Sequence, residues 1–457
     1  MKKIGIDFPA TPRKTALDRV EQWYQELLAE RLGRPLEPIK RSNFGQYDMA
    51  VHYLTSVLEE AAAVNKVAIF NIDHMAQIQF AGKDAATLLN RVLPADIASM
   101  KIGQCKYTLL LNESGGVQDD LIVMKLAEDN FILVINAGHD ITGTDHGHTV
   151  ELVADADLII RHAKEGEDIQ VKDLSDELVK IDVQGPLSFR LLKDLYGKEV
   201  LANRRKPEKN MPFFNFNEFR HEGNDYIISR TGYTNRWGWE LYIPVVAGET
   251  QFRRIVTKAL ELGGLLVGLG GRDENRISAG NVGLPLMGQE YTPAFTPTNA
   301  PLFAAAIDLS KNNFVGREAL LNDKTDKRMI LFISEGNVVD RGVYLEGKRI
   351  GVVASGIISP NVPLEKRLFI CSKRKSVNIE NGTAGIGLAW LEHNPYNTDA
   401  EGKDIIAIDG EAIRIPVEFY REDEDGKQKG KPILGFISAD GINPATAPRP
   451  LKHIANL

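Results

Sequence analysis

Gly115-Gly116-Val117-Gln118-Asp119-Asp120-Leu121-Ile122-Val123 is the stretch whose reading decides the fold of this chain. The glycine pair marks a turn. The run after it has the texture of a strand, with two adjacent acids at its start. Neighbours on a strand point to opposite faces, so only one of Asp119 and Asp120 can face inward. Leu121 and Val123 set Asp120 on the face opposite Leu121. An inward carboxylate is costly unless it is paired or used. Asp119 is expected as a turn acid capping the hairpin. Asp120 fits that part less well and is the candidate for chemistry.

Working outward, residues 106–112 and 131–136 read as strands flanking this one, with Asp129-Asn130 as the second turn. Residues 67–70 and 76–80 read as two earlier strands. Residues 84–92 read as a helix with Asp84 near its cap. Residues 249–262 read as a longer helix ended by Gly263-Gly264. Before all of these, residues 12–32 carry Leu17, Val20, Tyr24, Leu27 and Leu28 at helical spacing, which predicts an amphipathic packing arm. Short β-rich runs dominate after about residue 314: 328–334, 349–355, 384–390, 405–408 and 411–417. Glu346-Gly347, Asp409-Gly410 and Asp425-Gly426 supply turns between them, the texture of a small antiparallel barrel or sandwich. The expected division is an arm at 1–42, an α+β region at 43–324 and a β-barrel domain at 325–457.

Composition bounds the rest. At one domain per ~150 residues, 457 residues suggest about three domains. The chain is 43% hydrophobic and 26% charged, enough for an ordinary core. A net charge of −7 argues against a broad nucleic-acid footprint. Two cysteines, Cys105 and Cys371, make neither a disulfide framework nor a metal motif, which suits a reducing compartment. No apolar segment precedes Asp7 as a secretory signal would require, and no run of 18 apolar residues predicts a membrane span. A cytoplasmic protein that meets no membrane is expected.

Other groupings carry less. His139, Asp140, Asp145, His146 and His148 are metal-ligand types at no recognised spacing, so a polar surface loop is expected and no metal site. Gly268, Gly270 and Gly271 lack the third glycine of a dinucleotide turn. Arg204-Arg205-Lys206 and Lys373-Arg374-Lys375 read as solvated turns, and residues 421–431 as a charged hairpin or loop.

Several blocks together make the chain recognisable. The stretch 115–123 resembles the signature of the glycine cleavage T protein (aminomethyltransferase) family. In that family's order follow Asn71-Ile72-Asp73-His74-Met75 for its His-Met segment, and Val134-Ile135-Asn136-Ala137-Gly138 for its Asn-Ala-Gly strand end. Val183-Gln184-Gly185-Pro186 resembles its Gln-Gly-Pro turn. Ser229-Arg230-Thr231-Gly232-Tyr233-Thr234 with Glu240, and Gly268-Leu269-Gly270-Gly271-Arg272-Asp273, resemble two more blocks. Phe314-Val315-Gly316-Arg317-Glu318-Ala319-Leu320 and Ser359-Pro360 extend the likeness toward residue 420.

The resemblance implies a three-domain clover-leaf of class α+β, with two interleaved α+β domains and a C-terminal β-barrel. It implies a tetrahydrofolate-dependent transferase with Asp120 at the reactive edge of the folate. It implies that Asn136 helps hold the pterin, that Glu240 reads its donor–acceptor edge, and that Arg272 contacts the cofactor. Met75, Tyr107, Val134 and Tyr233 match positions lining the cavity, and Arg421 follows the family's C-terminal element. The donor would be an aminomethyl group on the lipoyl arm of the H protein. Alternatives are a small-molecule methyl donor, in an O-, S- or N-demethylase, and folate binding without transfer. A related group serving iron–sulfur assembly carries a Lys-Gly-Cys-Tyr-x-Gly-Gln-Glu motif. Only Gly288-Gln289-Glu290 of it stands here.

The chain departs from the family where donors would be read. Asn71-Ile72-Asp73 stands for Asp-x-Ser, Asn235-Arg236-Trp237-Gly238 for Gly-Glu-Asp-Gly, and Asn299 follows Thr296-Pro297. The arm is longer than usual, and residues 373–383 look inserted.

Overall fold

A computed structural model describes residues 12–54, 56–136, 141–145, 148–152, 155–280, 283–362, 384–397, 407–408 and 411–439. The fold is α+β, two face-to-face sheets flanked by helices, with a closed six-stranded barrel at the C-terminal side.

Sheet one is antiparallel and five-stranded. Its spatial order is Gln170–Asp173, Ala76–Ala81, Asn130–Ile135, Val117–Ala127, Cys105–Leu111. Its strands are rich in valine, isoleucine and leucine, which suit a pleat covered on both sides. On one face Ile78, Phe80, Leu121, Val123, Phe131 and Leu133 pack under the helices Ala85–Val92 and Asp155–Ile160 through Leu88, Leu89, Val92 and Ile159.

Sheet two has six strands in the order Phe216–His221, Asn224–Ser229, Gly238–Pro244, Leu178–Gln184, Ala68–Asn71, Leu265–Leu266. Only the last pairing is parallel. The chain enters sheet two, leaves to build sheet one, and returns, so the two units are interleaved. Val179, Ile181 and Val183 face the helices Asp18–Leu32, Ser188–Tyr196 and Val245–Glu261, which contribute Tyr24, Leu191, Phe252 and Ile255 to the same core.

The uncovered faces of the two sheets meet each other. Cys105, Met124, Ile132 and Val134 of sheet one pack on Phe216 and Tyr242, carried by sheet two. The barrel order is Arg328–Ser334, Ala384–Leu391, Lys348–Ser359, Gly342–Leu345, Arg414–Glu422, Gln428–Ser438. It docks through Leu331, Leu388 and Trp390 against Leu109, Val117 and Tyr291. Phe295 stacks on Trp390 with centroids 4.4 Å apart.

Three expectations change. The arm helix spans Asp18–Leu32 only. Residues 13–17 stay outside the helix, where acceptors on the body take N–H groups: the Ala16 N–H donates to Asp73 at 3.0 Å, and the Arg13 N–H to the Gln46 carbonyl. The segment expected as a polar loop is a hairpin of Ile141–Asp145 and His148–Leu152, while His139, Asp140 and His146 lie outside the described residues. Asp119 is no solvated turn acid, since it is 3% exposed in the layer beneath the helices. Cys371 and residues 373–383 also lie outside the described residues. Among the described residues no helix is long and apolar enough to cross a membrane.

Candidate functional site

Strand alternation places the two aspartates apart. On Val117–Ala127, Asp119 shares a face with Leu121 and Val123, toward the helices. Asp120 shares the other face with Ile122, toward sheet two. Register sets Leu109 opposite Asp120 and Tyr107 opposite Ile122, so Tyr107 stands diagonally beside Asp120 on the same face. Gly116 permits the preceding turn, because a Cβ there would meet the Pro293 carbonyl oxygen at 1.9 Å.

Asp120 is half-buried and densely partnered. The Tyr291 hydroxyl donates to its Oδ1 at 2.5 Å, and the Asn136 amide donates to the same atom at 3.0 Å. The Tyr107 hydroxyl also bonds to it. Burial raises the Asp120 carboxyl above the usual range, and these three donors pull it part of the way back. The Asn136 amide also reaches Asp119 Oδ1 at 2.7 Å, so one side chain bridges both acids.

The facing wall comes from sheet two. Its strand Leu178–Gln184 turns Lys180, Asp182 and Gln184 away from the helices, and all three are fully buried. Glu240 lies on Gly238–Pro244 directly opposite Asp182. Lys180 Nζ donates to Glu240 Oε1 at 2.9 Å, and the Thr231 hydroxyl donates to Oε2. Burial opposes the Glu240 charge, but Lys180 and Thr231 outweigh it and hold the carboxyl below its ordinary value. Asp182 takes Arg272 at 3.3 Å and the Gln184 amide at 2.6 Å, yet burial and the neighbouring Glu240 push it up to about 7. Gly232 and Gly238 leave room for that amide, since a Cβ at either would fall within 2.2 Å of it. This contact explains why a Gln-Gly-Pro turn and a Thr-Gly-Tyr block occur together.

Arg272 is half-buried and lies 5.0 Å from the Tyr233 ring centroid, while the Tyr233 hydroxyl donates to the Pro285 carbonyl at 2.6 Å. Met75 is half-buried, with its sulfur 3.5 Å from Lys180 Nζ. The cleft between the sheets therefore brings together Met75, Tyr107, Asp120, Asn136, Tyr233, Glu240 and Arg272. Val134 lies in the inter-sheet core at 1% exposed, behind this wall. Arg421 is not brought to the cleft. It is exposed on the barrel hairpin opposite Lys429.

Several residues of this site went unread in the sequence. Tyr291 sits 171 positions from its partner Asp120. Lys180 and Asp182 alternate with valine and isoleucine, a pattern that reads as an ordinary solvent face. The altered Asn71-Ile72-Asp73 block holds the arm: the Asn71 amide donates to Thr15 at 3.0 Å and to Glu21 at 2.7 Å. His74, next to it, packs edge-on to Phe44, and burial with Arg272 and Lys180 nearby lowers it well below an ordinary histidine. Gly268 heads a helix, but its N–H donates to Glu60 at 2.8 Å, so that turn is filled by the chain's own carboxylate.

Glu240 on one sheet and Asp120 on the other thus line the same inter-sheet region, each held by hydrogen-bond donors. The chain matches the model of the GCVT N-terminal domain family over residues 40–311. It is 31% identical to an aminomethyltransferase of Corynebacterium jeikeium over 366 residues, 77% of this chain and 87% of that one. It is 30% identical to one of Desulfitobacterium hafniense over 396 residues, 84% and 94% of the two chains. The fold is similar to the crystal structure of glycine cleavage system aminomethyltransferase T from Bartonella henselae. That match has a TM-score of 0.66 at 24% identity and covers 93% of this chain and 96% of that one. The chain belongs to the glycine cleavage T-protein family.

Proposed function

We infer that the cleft between the two sheets is where a one-carbon unit passes to tetrahydrofolate. The chain is an enzyme of the aminomethyltransferase type, a folate-dependent one-carbon transferase of the glycine cleavage kind. The observation that supports placing the reaction here is the pair of walls: a fully partnered Glu240 carboxylate on one, a half-buried Asp120 on the other.

The residues fit a pterin. Gln77 Oε1 and His74 Nδ1 are buried atoms without a hydrogen-bond partner, on either side of Met75. Orphaned buried polar atoms call for a ligand or water. A pterin edge carries two N–H donors beside a carbonyl. Glu240, held charged by Lys180, would accept from the donors, and Arg272 would serve a carbonyl or anionic group. Tyr107, Tyr233 and Met75 would flank the flat ring. When bound, tetrahydrofolate supplies the two nitrogens that take up the carbon. Asp120 would then hold or accept a proton in the cleft, burial having raised its proton affinity above that of an ordinary carboxylate. Tyr291 and Asn136 fix its Oδ1 while it does so.

The donor is an aminomethyl group carried by a lipoyl-bearing H protein in this reading. The test is turnover with tetrahydrofolate and aminomethylated H protein, with the folate product followed by mass. A methylene-level product supports it. A methyl-level product from a small methylated donor would replace the aminomethyl reading with a demethylase. Failure to bind tetrahydrofolate would sink the whole assignment.

A further inference from the structure

On sheet two a chain of hydrogen bonds runs through the wall and ends on Arg272. It starts at Gln184, whose amide lies in the space that Gly232 and Gly238 leave. The Thr234 hydroxyl donates to Gln184 Oε1 at 2.8 Å. Gln184 Nε2 donates to the Thr231 carbonyl at 3.1 Å and to Asp182 Oδ1 at 2.6 Å. Asp182 Oδ2 accepts from Arg272 Nη1 at 3.3 Å. Among the described residues, Asp182 is the one side chain that hydrogen-bonds the Arg272 guanidinium. That guanidinium otherwise lies over the rings of Tyr233 and Phe70, at 5.0 and 5.8 Å from their centroids.

Both oxygens of Asp182 are therefore taken as acceptors, one by an amide and one by a guanidinium. An asparagine has a single acceptor oxygen, so it would turn an N–H toward one of these donors. The chain needs a carboxylate here, and a rigid one, because Gln184 is held at both ends of its amide.

The same wall carries a second ion pair, Lys180 with Glu240, and Glu240 lies directly opposite Asp182 in the sheet. Two cations and two ionised acids leave the wall with no net charge. An anionic group brought to Arg272 would meet the charges of Asp182 and Glu240, whereas an uncharged edge with donors and a carbonyl would meet matching partners.

We propose that Asp182 is a positioning residue for cofactor binding: braced by Gln184, it fixes the Arg272 guanidinium beside Glu240, so that the two present one preset, charge-balanced edge to the pterin half of tetrahydrofolate and not to its glutamate tail. It rests on the reading of the cleft as a tetrahydrofolate site.

The test is Asp182→Asn, which keeps the shape of the side chain and opens no cavity, in the full-length enzyme at about pH 8, where the wild-type carboxyl is ionised. The dissociation constant for tetrahydrofolate should rise about ten-fold, the worth of a hydrogen bond to a charged group. The kcat should change less than about three-fold, because Asp120 and Tyr107 stand on the other sheet. An unchanged dissociation constant, or a loss confined to kcat, would overturn the proposal. A tetrahydropterin without the p-aminobenzoylglutamate tail should lose affinity by the same factor. A loss seen with tetrahydrofolate alone would place Arg272 on the tail and overturn it. In an Arg272→Met background, Asp182→Asn should cost less than about two-fold more. Losses that multiply would show that Asp182 acts by a route other than Arg272. Should Asp182→Asn fail to fold, Gln184→Met removes the brace and leaves the ion pair, and should weaken both ligands about three-fold. Unchanged affinity there would overturn the proposal as well. A wild-type protein that binds neither ligand would instead refute the assigned function, leaving the two ion pairs in place.

Discussion

Asp119 and Asp120 are chain neighbours that point to opposite faces of sheet one, yet the single amide of Asn136 bonds to both, at 2.7 and 3.0 Å. The pair is thus one unit, with one acid as anchor and the other as the group presented to the cleft. Asp120→Asn should lower turnover about a hundred-fold, within the usual contribution of a positioned acid–base group. Tetrahydrofolate affinity should stay within about three-fold. Parallel losses in kcat and affinity, measured by single-turnover kinetics and titration, would make Asp120 a binding residue only.

Tyr291, packed where the barrel meets sheet one, holds Asp120 through its hydroxyl. Its hydroxyl stabilises the ionised carboxylate, so Tyr291→Phe should raise the Asp120 pKa. The acid limb of the kcat profile then moves to higher pH. Turnover at neutral pH should fall about ten-fold, the worth of a hydrogen bond to a charged group. An unmoved limb would show that some other group controls it.

Lys180 and Glu240 form a buried pair. Lys180→Met would strand the carboxylate, at a cost of about 3–5 kcal/mol to stability. Denaturant unfolding measures this. Glu240 should also become easier to protonate, so tetrahydrofolate binding should weaken most at and below neutral pH, where the carboxyl takes up a proton, and recover as rising pH ionises it again. Unchanged affinity would show that the pterin edge is read elsewhere.

The buried acids give the protein a pH signature. Burial raises the carboxyls of Glu60, Asp73, Asp155 and Asp182 to about 7. Unfolded, such groups titrate near about 4. Between those values the native state binds more protons than the unfolded state, so stability falls as pH rises. This contribution is complete below about 4 and is lost as the pH passes through about 7. Tm should be higher at about pH 5.5 than at about pH 8, and Asp155→Asn should flatten the slope. A Tm that climbs across this range would contradict the burial of these groups as charged species.

Four of the five strands of sheet one, the helix Ala85–Val92 and the barrel runs at 328–334, 349–355, 384–390 and 411–417 were legible because their apolar residues recur at a clean period, whereas Gln170–Asp173, Gly342–Leu345 and Gln428–Ser438 were not read. Asp120 was legible because alternation separates it from Leu121. Asp119 was misjudged: the same alternation puts it with Leu121, but nothing local reveals that a helix beginning at Asp155 closes over it. Lys180, Asp182 and Gln184 look solvent-facing because a sheet with one apolar face normally has its other face in water. Here that face meets a second sheet, and only the long-range pairing tells them apart. The departures at Asn71 and Asp73 looked like losses in the site, whereas both side chains hold the arm.

The interleaving of the two sheets has a consequence for biosynthesis. Ala68–Asn71 pairs with Leu178–Gln184 and with Leu265–Leu266, and the Leu266 N–H donates to the Tyr24 hydroxyl 242 residues earlier. On the ribosome, the wall carrying Lys180 and Glu240 stays incomplete until Leu266 has emerged. Until then Ala68–Asn71 is an open apolar edge able to pair with other nascent chains. Late, long-range strand closure is therefore the step expected to be slow in its folding.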